Sequence, residues 1–242
     1  EHFSNSLMSQ NILSHFSAGE PVQIKNPLSQ DMSFLRNSII PGLLMATSYN
    51  EKRQEKGFKL FEIGAVHNQA KKTLTKTKEK FQIGILWYGK PTAHWRQFEQ
   101  RDMFRSKGEI SKLLSALGIR NIHYKVSNAL GFDSVLKIYS DKMQIGIVGV
   151  PTKEALIEYD IQYPPVICDI SLSVLRDIWN NRKFSYKAPP QYPSINRDIA
   201  IQIKQNISAQ DLMDRIWKVG GDTLTDVLVF DVYQAKDVGD EN

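Results

Sequence analysis

Two stretches, residues 58–67 (FKLFEIGAVH) and residues 81–89 (FQIGILWYG), decide the fold of this 242-residue chain. In the second stretch, apolar side chains at every other position alternate with a mixed set, which is typical of a strand with one strongly apolar face. The connection, residues 69–80, is rich in lysine and too short for a parallel crossover. The two stretches are therefore predicted to pair as an antiparallel hairpin.

Further helices and strands surround this hairpin. Pro41 suits the first turn of a helix, so a helix is predicted over about 41–54. Residues 101–118 carry apolar positions at helical spacing and end in Gly118, which suits a left-handed helix terminus. Ser171 can cap another helix. Short strands are predicted at 122–126, 135–139, 143–150 and 166–169, and a short helix at 152–159. Together, these elements predict a mixed sheet backed by helices, which is an α+β fold.

A second domain is indicated after residues 187–194 (KAPPQYPS), which are rich in proline and mark a stiff linker. Residues 197–204 and 224–233 have strand patterns, and a capped helical pattern lies between them. This order is the opening β-α-β of a ferredoxin-like unit. We expect two domains, residues 1–187 and residues 188–242, of which the second is incomplete.

Composition excludes several classes of protein. Hydrophobic residues make up 41% of the chain, which is ordinary for a folded protein and argues against overall disorder. The single cysteine, Cys168, can form neither an internal disulfide nor a thiolate zinc cage, so a reducing location such as the cytoplasm is expected. Apolar runs fall far short of the ~20 residues that cross a bilayer, and no leader pattern precedes the fold. Because the chain starts with Glu1, we expect a piece of a longer protein.

The motifs of phosphate and acyl chemistry are missing from the sequence. No glycine-rich phosphate loop or nucleophile elbow occurs, and the five histidines are scattered. We therefore predict no catalytic, cofactor-binding or metal-binding residue. Glu62 lies within an apolar strand pattern and must be paired or hydrogen-bonded if it is buried, and a structural role is favoured over catalysis. His67 is interpreted as a surface or structural histidine in preference to a catalytic base, and Cys168 as a core residue.

A cluster of lysines in the hairpin connection leaves two interpretations open. Its members are Lys71, Lys72, Lys76, Lys78 and Lys80. A solvated hairpin tip is favoured over a contact with phosphate or a protein partner, because no aromatic residues are interleaved for stacking on bases. The net charge of +5 permits an anionic partner without requiring one.

Several short motifs follow one another along the chain: Asn26-Pro27-Leu28-Ser29, Leu35-Arg36-Asn37-Ser38, Pro41-Gly42-Leu43-Leu44, Tyr49-Asn50, Leu60-Phe61-Glu62-Ile63-Gly64 and Phe104-Arg105-Ser106-Lys107-Gly108. Their order and spacing resemble the catalytic-like domain of bacterial phenylalanyl-tRNA synthetase beta subunits. Tyr192-Pro193-Ser194, Arg197-Asp198-Ile199-Ala200 and Phe230-Asp231-Val232-Tyr233 resemble the start of the ferredoxin-like anticodon-binding domain of that family.

The resemblance implies an α+β fold: a class II aminoacyl-tRNA synthetase-like antiparallel sheet with flanking helices, followed by a partial ferredoxin-like β-α-β domain. Class II enzymes hold phosphates with an arginine in an F-R-x-E strand and another after G-x-G. Here the comparable strand reads Phe61-Glu62-Ile63-Gly64, and no G-x-G-x-x-x-R occurs. The chain is therefore expected to belong to a phenylalanine-tRNA ligase and to be inactive alone, with no cofactor in this segment and with ATP and magnesium needed by the whole enzyme.

The resemblance also implies partners, namely a catalytic alpha subunit in an (αβ)2 heterotetramer and the phenylalanine tRNA. Four apolar residues are candidates for the subunit interface: Leu35, Ile39, Leu43 and Leu44. The alternative is that they fill the local core, as helical apolar stripes usually do. Arg197 and Tyr233 are candidates for phosphate and base contacts with tRNA.

Two other classes of function remain possible at this point. An independent ligase would need phosphate-binding arginines in the motif positions. A free-standing RNA-binding or protein-interaction module derived from a synthetase would show a concentrated basic face. The modest net charge does not favour a free-standing RNA-binding module. The resemblance favours a non-catalytic segment of the beta subunit, which supports assembly and tRNA binding.

Overall fold

The computed structural model describes residues 1–16, 19–70, 76–89, 103–181, 192–204 and 206–233. The chain divides into two units, Glu1–Phe184 and Ser185–Asn242. Of the lysine cluster, Lys71 and Lys72 lie outside the described residues, as does most of the proline-rich stretch 187–194.

The first unit begins with a small antiparallel sheet. Its strands are β1 (Leu7–Met8), β2 (Val22–Gln23) and β3 (Phe34–Leu35), and β3 lies between the other two. Helix α1 (Gln10–Ser14) follows β1, and a 3-10 turn (Gln30–Met32) precedes β3. Strands of two residues have no readable alternation, so the sequence does not predict this sheet.

A six-stranded antiparallel sheet forms the centre of the first unit. Helix α2 (Ile40–Lys52) precedes it, with Pro41 in its first turn as predicted. The strands are β4 (Gly57–Gln69), β5 (Thr77–Gly89), β6 (Ile122–Ser127), β7 (Phe132–Ser140), β8 (Met143–Pro151) and β9 (Val166–Ser171). Their spatial order is β4-β5-β9-β8-β7-β6. The predicted hairpin is confirmed, because β4 and β5 pair antiparallel from Gly57 opposite Gly89 to Gln69 opposite Thr77.

Three more helices of the first unit lie within the described residues. They are α3 (Met103–Ala116), α4 (Lys153–Glu158) and α5 (Leu172–Asn180). The predicted terminus at Gly118 is confirmed by its left-handed φ of 73°. The predicted cap of α5 is also confirmed, because the Ser171 side chain accepts a hydrogen bond from the backbone N–H of Val174.

Both faces of the sheet are packed, each against its own helices. Leu86 and Tyr88 of β5 lie in one core cluster together with α2 and α4, and Trp87 lies in a second cluster with α3 and α5. Cys168 belongs to the second cluster and is fully buried, as predicted. Burial raises the pKa of its thiol well above the usual value.

The second unit contains helix α6 (Ala209–Gly220), whose predicted cap is confirmed, since Ser208 Oγ accepts a 3.1 Å hydrogen bond from Asp211 N–H. The strands predicted at 197–204 and 224–233 are not formed in the described residues. In a split β-α-β arrangement a third strand lies between the first two, so these segments are not each other's ladder partners. A segment with alternating apolar residues forms a strand only when a neighbouring strand pairs with its backbone N–H and C=O groups.

Candidate functional site

Glu62 of β4 and Arg36, just after β3, form a buried ion pair. Their side chains are almost inaccessible, and Nη1 of Arg36 lies 2.6 Å from Oε1 of Glu62. Ser4 Oγ donates to Glu62 Oε2 at 2.8 Å, and Arg36 Nε donates to the carbonyl of Ala65 at 2.9 Å. The prediction that a buried Glu62 would be paired is therefore confirmed.

The guanidinium of Arg36 occupies the space above β4 at Gly64. A Cβ built on Gly64 would stand only 2.0 Å from Nη2 of Arg36, so glycine is needed at this position for close approach. The charge of this guanidinium is compensated within the chain by Glu62. Arg36 is thus a structural cation whose charge is paired inside the chain.

Glu62 also begins a polar row that crosses the sheet. Residues directly opposite one another in antiparallel strands project from the same face. The register places in this row Glu62, Gly84, Asp169, Ile147, Lys137 and Lys125. The next row contains Leu86, Ile167 and Val135, which belong to the core cluster that includes α2. The face of the sheet on the α2 side therefore changes from apolar to polar within one row.

A cavity of about 390 Å³ opens on this polar part of the face. Its polar lining includes Asn37, Asn68, Lys78, Lys80, Gln82 and Asp169. The side-chain amide of Gln82 donates to Oδ2 of Asp169 at 3.0 Å, and Asn37 Nδ2 donates to the carbonyl of Gly19 at 2.9 Å. Burial raises the pKa of Asp169 to about 7.

The charged groups of this cavity do not fit a bound nucleotide with magnesium. They are one carboxyl group and two exposed lysines, and no arginine is among the lining residues that the structure describes. Within the described ranges there is also no group of three or more His, Cys, Asp or Glu side chains that could hold a metal ion. The described residues of this cavity therefore do not form a site for ATP chemistry.

The opposite face of the sheet carries an apolar groove of about 690 Å³ between α3 and α5. Phe61, Ile63 and Trp179 line it and are roughly half exposed. At its rim, Lys59 Nζ lies 2.6 Å from Oε1 of Glu109. Glu109 also accepts a 2.7 Å hydrogen bond from the indole of Trp87, so this rim is held to the sheet.

The four candidate interface residues do not share one environment. Ile39, Leu43 and Leu44 are completely buried in the core of the chain itself, whereas Leu35 is half-buried in the small sheet, opposite Leu7 and Val22. The two candidate tRNA contacts, Arg197 and Tyr233, are both exposed in the second unit.

Of the residues that line the polar cavity, the sequence patterns singled out Lys78 and Lys80 of the lysine cluster but missed three others. Asn37, Gln82 and Asp169 come from three distant segments, and no short-range spacing connects them. Asp169 did carry a usable signal, because it interrupts an apolar strand in the same way as Glu62.

Comparison with known proteins identifies the family. Residues 1–172 match the family model described as phenylalanyl tRNA synthetase beta chain CLM domain, and residues 190–242 match the ferredoxin-fold anticodon binding domain. The phenylalanine–tRNA ligase beta subunit of Clostridium tetani is 31% identical over 222 residues, which cover 90% of this chain and 26% of that protein. The beta subunit of Carboxydothermus hydrogenoformans is 28% identical over 228 residues, which cover 90% of this chain and 27% of that protein.

Solved structures share the fold at low identity. A pyrrolysyl-tRNA synthetase of Desulfitobacterium hafniense superposes with a TM-score of 0.57 and 15% identity, covering 74% of this chain and 60% of that one.

None of the helices in the described ranges is long and apolar enough to span a membrane. The chain spans about a quarter of the length of the curated relatives named above. The expected resemblance is confirmed: the chain belongs to the phenylalanyl-tRNA synthetase beta chain family, with a CLM domain followed by residues of the ferredoxin-fold anticodon binding domain.

Proposed function

We propose that this chain is a non-catalytic segment of a phenylalanine–tRNA ligase beta subunit, and that it supports assembly with the catalytic alpha subunit and binding of the phenylalanine tRNA. The observation that carries the proposal is the match to both beta-chain domains in order along one chain. The buried Arg36–Glu62 pair supports the non-catalytic part, because the arginine on this face is neutralised by the chain itself.

The whole enzyme charges the tRNA with phenylalanine at the expense of ATP and requires magnesium. We assign the contacts with ATP and magnesium to parts of the enzyme outside this chain. We place the enzyme in the cytoplasm as an (αβ)2 heterotetramer. The first domain, residues 1–187, is a class II synthetase-like sheet that has lost its active site. The second, residues 188–242, is the beginning of the anticodon-binding domain.

The subunit interface that we propose uses the segment around α2. Because Ile39, Leu43 and Leu44 are already buried, their role is to hold α2 against the sheet. Leu35 and the outer side of α2 then contact the alpha subunit. Met45 on that outer side is 47% exposed.

Co-expression with the alpha subunit tests this assembly. We expect the two chains to co-purify, and Met45→Lys to weaken their association. Met143→Lys is the matched control, because Met143 is 45% exposed but lies at the start of β8. Failure of the unmodified chain to associate with the alpha subunit would contradict the proposal, as would equal effects of the two variants.

For the tRNA contact, Arg197 and Tyr233 are proposed to meet the phosphate backbone and a base of the phenylalanine tRNA. Both are exposed, as such contacts require. We expect Arg197→Gln to weaken tRNA binding by the complex with the alpha subunit and to reduce the salt dependence of that binding. Arg176→Gln, in the first unit, is the matched control.

A further inference from the structure

The polar cavity on the α2 side of the sheet contains hydrogen-bond acceptors that no residue in the described part of the chain satisfies. Asn37 is only 7% exposed; its amide nitrogen donates to Gly19, while its Oδ1 has no hydrogen-bond partner among the described residues. The amide of Gln82 donates to Oδ2 of Asp169, while Gln82 Oε1 and Asp169 Oδ1 have no partner within the described ranges. Buried acceptors are rarely left in this state, so three in one cavity indicate a missing donor.

Two lysines line the same cavity. Lys78 and Lys80 alternate with Gln82 along β5, so the three side chains project from one face of the strand. Among the described residues, neither lysine has an ion-pair partner. The cavity therefore combines unpaired acceptors around a carboxyl group with two available ammonium groups.

This combination discriminates among classes of ligand. A metal ion or a simple amine would satisfy the acceptors but would be repelled by the lysines. Phosphate or another plain anion would pair with the lysines, but it would leave the acceptors unsatisfied and would approach Asp169 unfavourably. A molecule that carries an ammonium group at one end and a carboxylate at the other matches both sets.

We propose that this cavity binds a small zwitterion of the amino acid type, with its ammonium group held by Asn37, Gln82 and Asp169 and its carboxylate held by Lys78 and Lys80. The site lies within residues of the first unit and does not depend on the alpha subunit or on tRNA. The proposal therefore stands or falls independently of the function proposed above.

The raised pKa of Asp169 agrees with this assignment. In the structure, burial raises the pKa of this carboxyl to about 7. An ammonium group within hydrogen-bonding distance favours the ionised carboxylate and lowers the pKa. Binding should therefore release protons from the chain near neutral pH, which is measurable as a dependence of the binding heat on the buffer.

Titration of the isotope-labelled 242-residue chain tests the proposal. The probes are glycine, β-alanine and 4-aminobutyrate, which separate the two charges by increasing lengths, together with methylammonium and acetate as half-ligands. We expect at least one zwitterion to shift the side-chain amide signals of Asn37 and Gln82 saturably. Each half-ligand should bind at least about tenfold more weakly, because it forms only one set of charge-assisted hydrogen bonds. Absence of any such shift with all three zwitterions overturns the proposal, and so does equal binding of a half-ligand.

Two variants locate the site. Asp169→Asn keeps the shape of the side chain and removes its charge, and Lys80→Gln removes one cation. Each is expected to weaken zwitterion binding by about tenfold. Lys142→Gln is the matched control, because it makes the same change in an exposed turn outside the cavity. If the folded Asp169→Asn and Lys80→Gln chains bind the zwitterion as the unmodified chain does, the assignment is wrong.

Discussion

The hydroxyl of Tyr88 donates a 2.5 Å hydrogen bond to Oε1 of Glu51, which joins β5 to the last turn of α2 inside the core. The other carboxylate oxygen of Glu51 accepts a 2.9 Å hydrogen bond from the backbone of Gln162. Burial, followed by the contact with Glu51, raises the pKa of Tyr88 far above its usual value, so this hydroxyl stays protonated and can donate at neutral pH.

Tyr88→Phe is expected to lower the free energy of unfolding by about 1.5–3 kcal/mol, the range for a hydrogen bond to a charged group. The ring remains, so its stacking against Phe58 is kept. Urea unfolding followed by circular dichroism measures the effect. Tyr49→Phe is the control, since Tyr49 is on α2 but more than half exposed. If both variants lose a similar amount of unfolding free energy, the contact with Glu51 does not explain the effect.

The Arg36–Glu62 pair makes a second prediction. Glu62→Gln alone should cost about 3–5 kcal/mol of unfolding free energy, because it leaves a buried guanidinium uncompensated. The double variant Arg36→Met, Glu62→Gln should cost less than the sum of the two single changes, which a double-mutant cycle in urea measures. Asp160→Asn removes the partner of Lys52 in an exposed pair and should cost at most about 1 kcal/mol. Strict additivity of the Arg36 and Glu62 changes would contradict this account.

Asp169 makes stability depend on pH. Its pKa is about 7 in the folded chain, compared with 3.8 for an unperturbed aspartate. Between these values the folded state keeps a proton that the unfolded state has lost, so the free energy of unfolding decreases as pH rises from about 4 to about 7. Above pH 7 the loss is complete.

Asp169→Asn should remove this part of the pH dependence. The variant is expected to match the unmodified chain near pH 4 and to exceed its stability above pH 7 by up to about 4 kcal/mol, at 1.36 kcal/mol per pKa unit. Urea unfolding at pH 4.5, 6 and 8 measures the difference. An advantage of the variant that is the same at all three pH values would show that the carboxyl is not the titrating group.

Two glycines allow a matched test of packing. A Cβ on Gly84 would stand 2.7 Å from Leu43 Cδ1 and 2.8 Å from Ile39 Cγ2, whereas a Cβ on Gly108 has no neighbour within 4 Å. Gly84→Ala should therefore destabilise the chain by about 1–3 kcal/mol through overpacking. Gly108→Ala, within α3, should stabilise it by up to about 1 kcal/mol through helix propensity. Thermal unfolding of the two variants should shift in opposite directions.

The parts of the fold that the sequence predicted have strong local signals. Alternation in residues 81–89 predicted the hairpin, and the cap residues Ser171 and Ser208 are in place. The strands expected at 197–204 and 224–233 show the limit of this reasoning. Alternation is a property of a single segment, whereas a strand forms only when its backbone groups are hydrogen-bonded to a neighbouring strand.

The candidate site was predictable only in part. Glu62 was recognised as a carboxylate that needs a partner, but that partner lies 26 positions away in the sequence, and no pattern connects the two. Asn37, Gln82 and Asp169 converge through the register of β5 with β9 and through the entry into α2. Such convergence is a property of the tertiary structure and has no signature at short range.

The burial of Cys168 has an experimental use. It is the single cysteine of the chain, it lies in the middle of β9 within the core, and its thiol is held in the unreactive protonated form. A maleimide reagent can modify it only when the central sheet opens. The rate of alkylation of the unmodified chain therefore reports the opening of this sheet directly, and the same assay can show how far the alpha subunit or a bound zwitterion slows it.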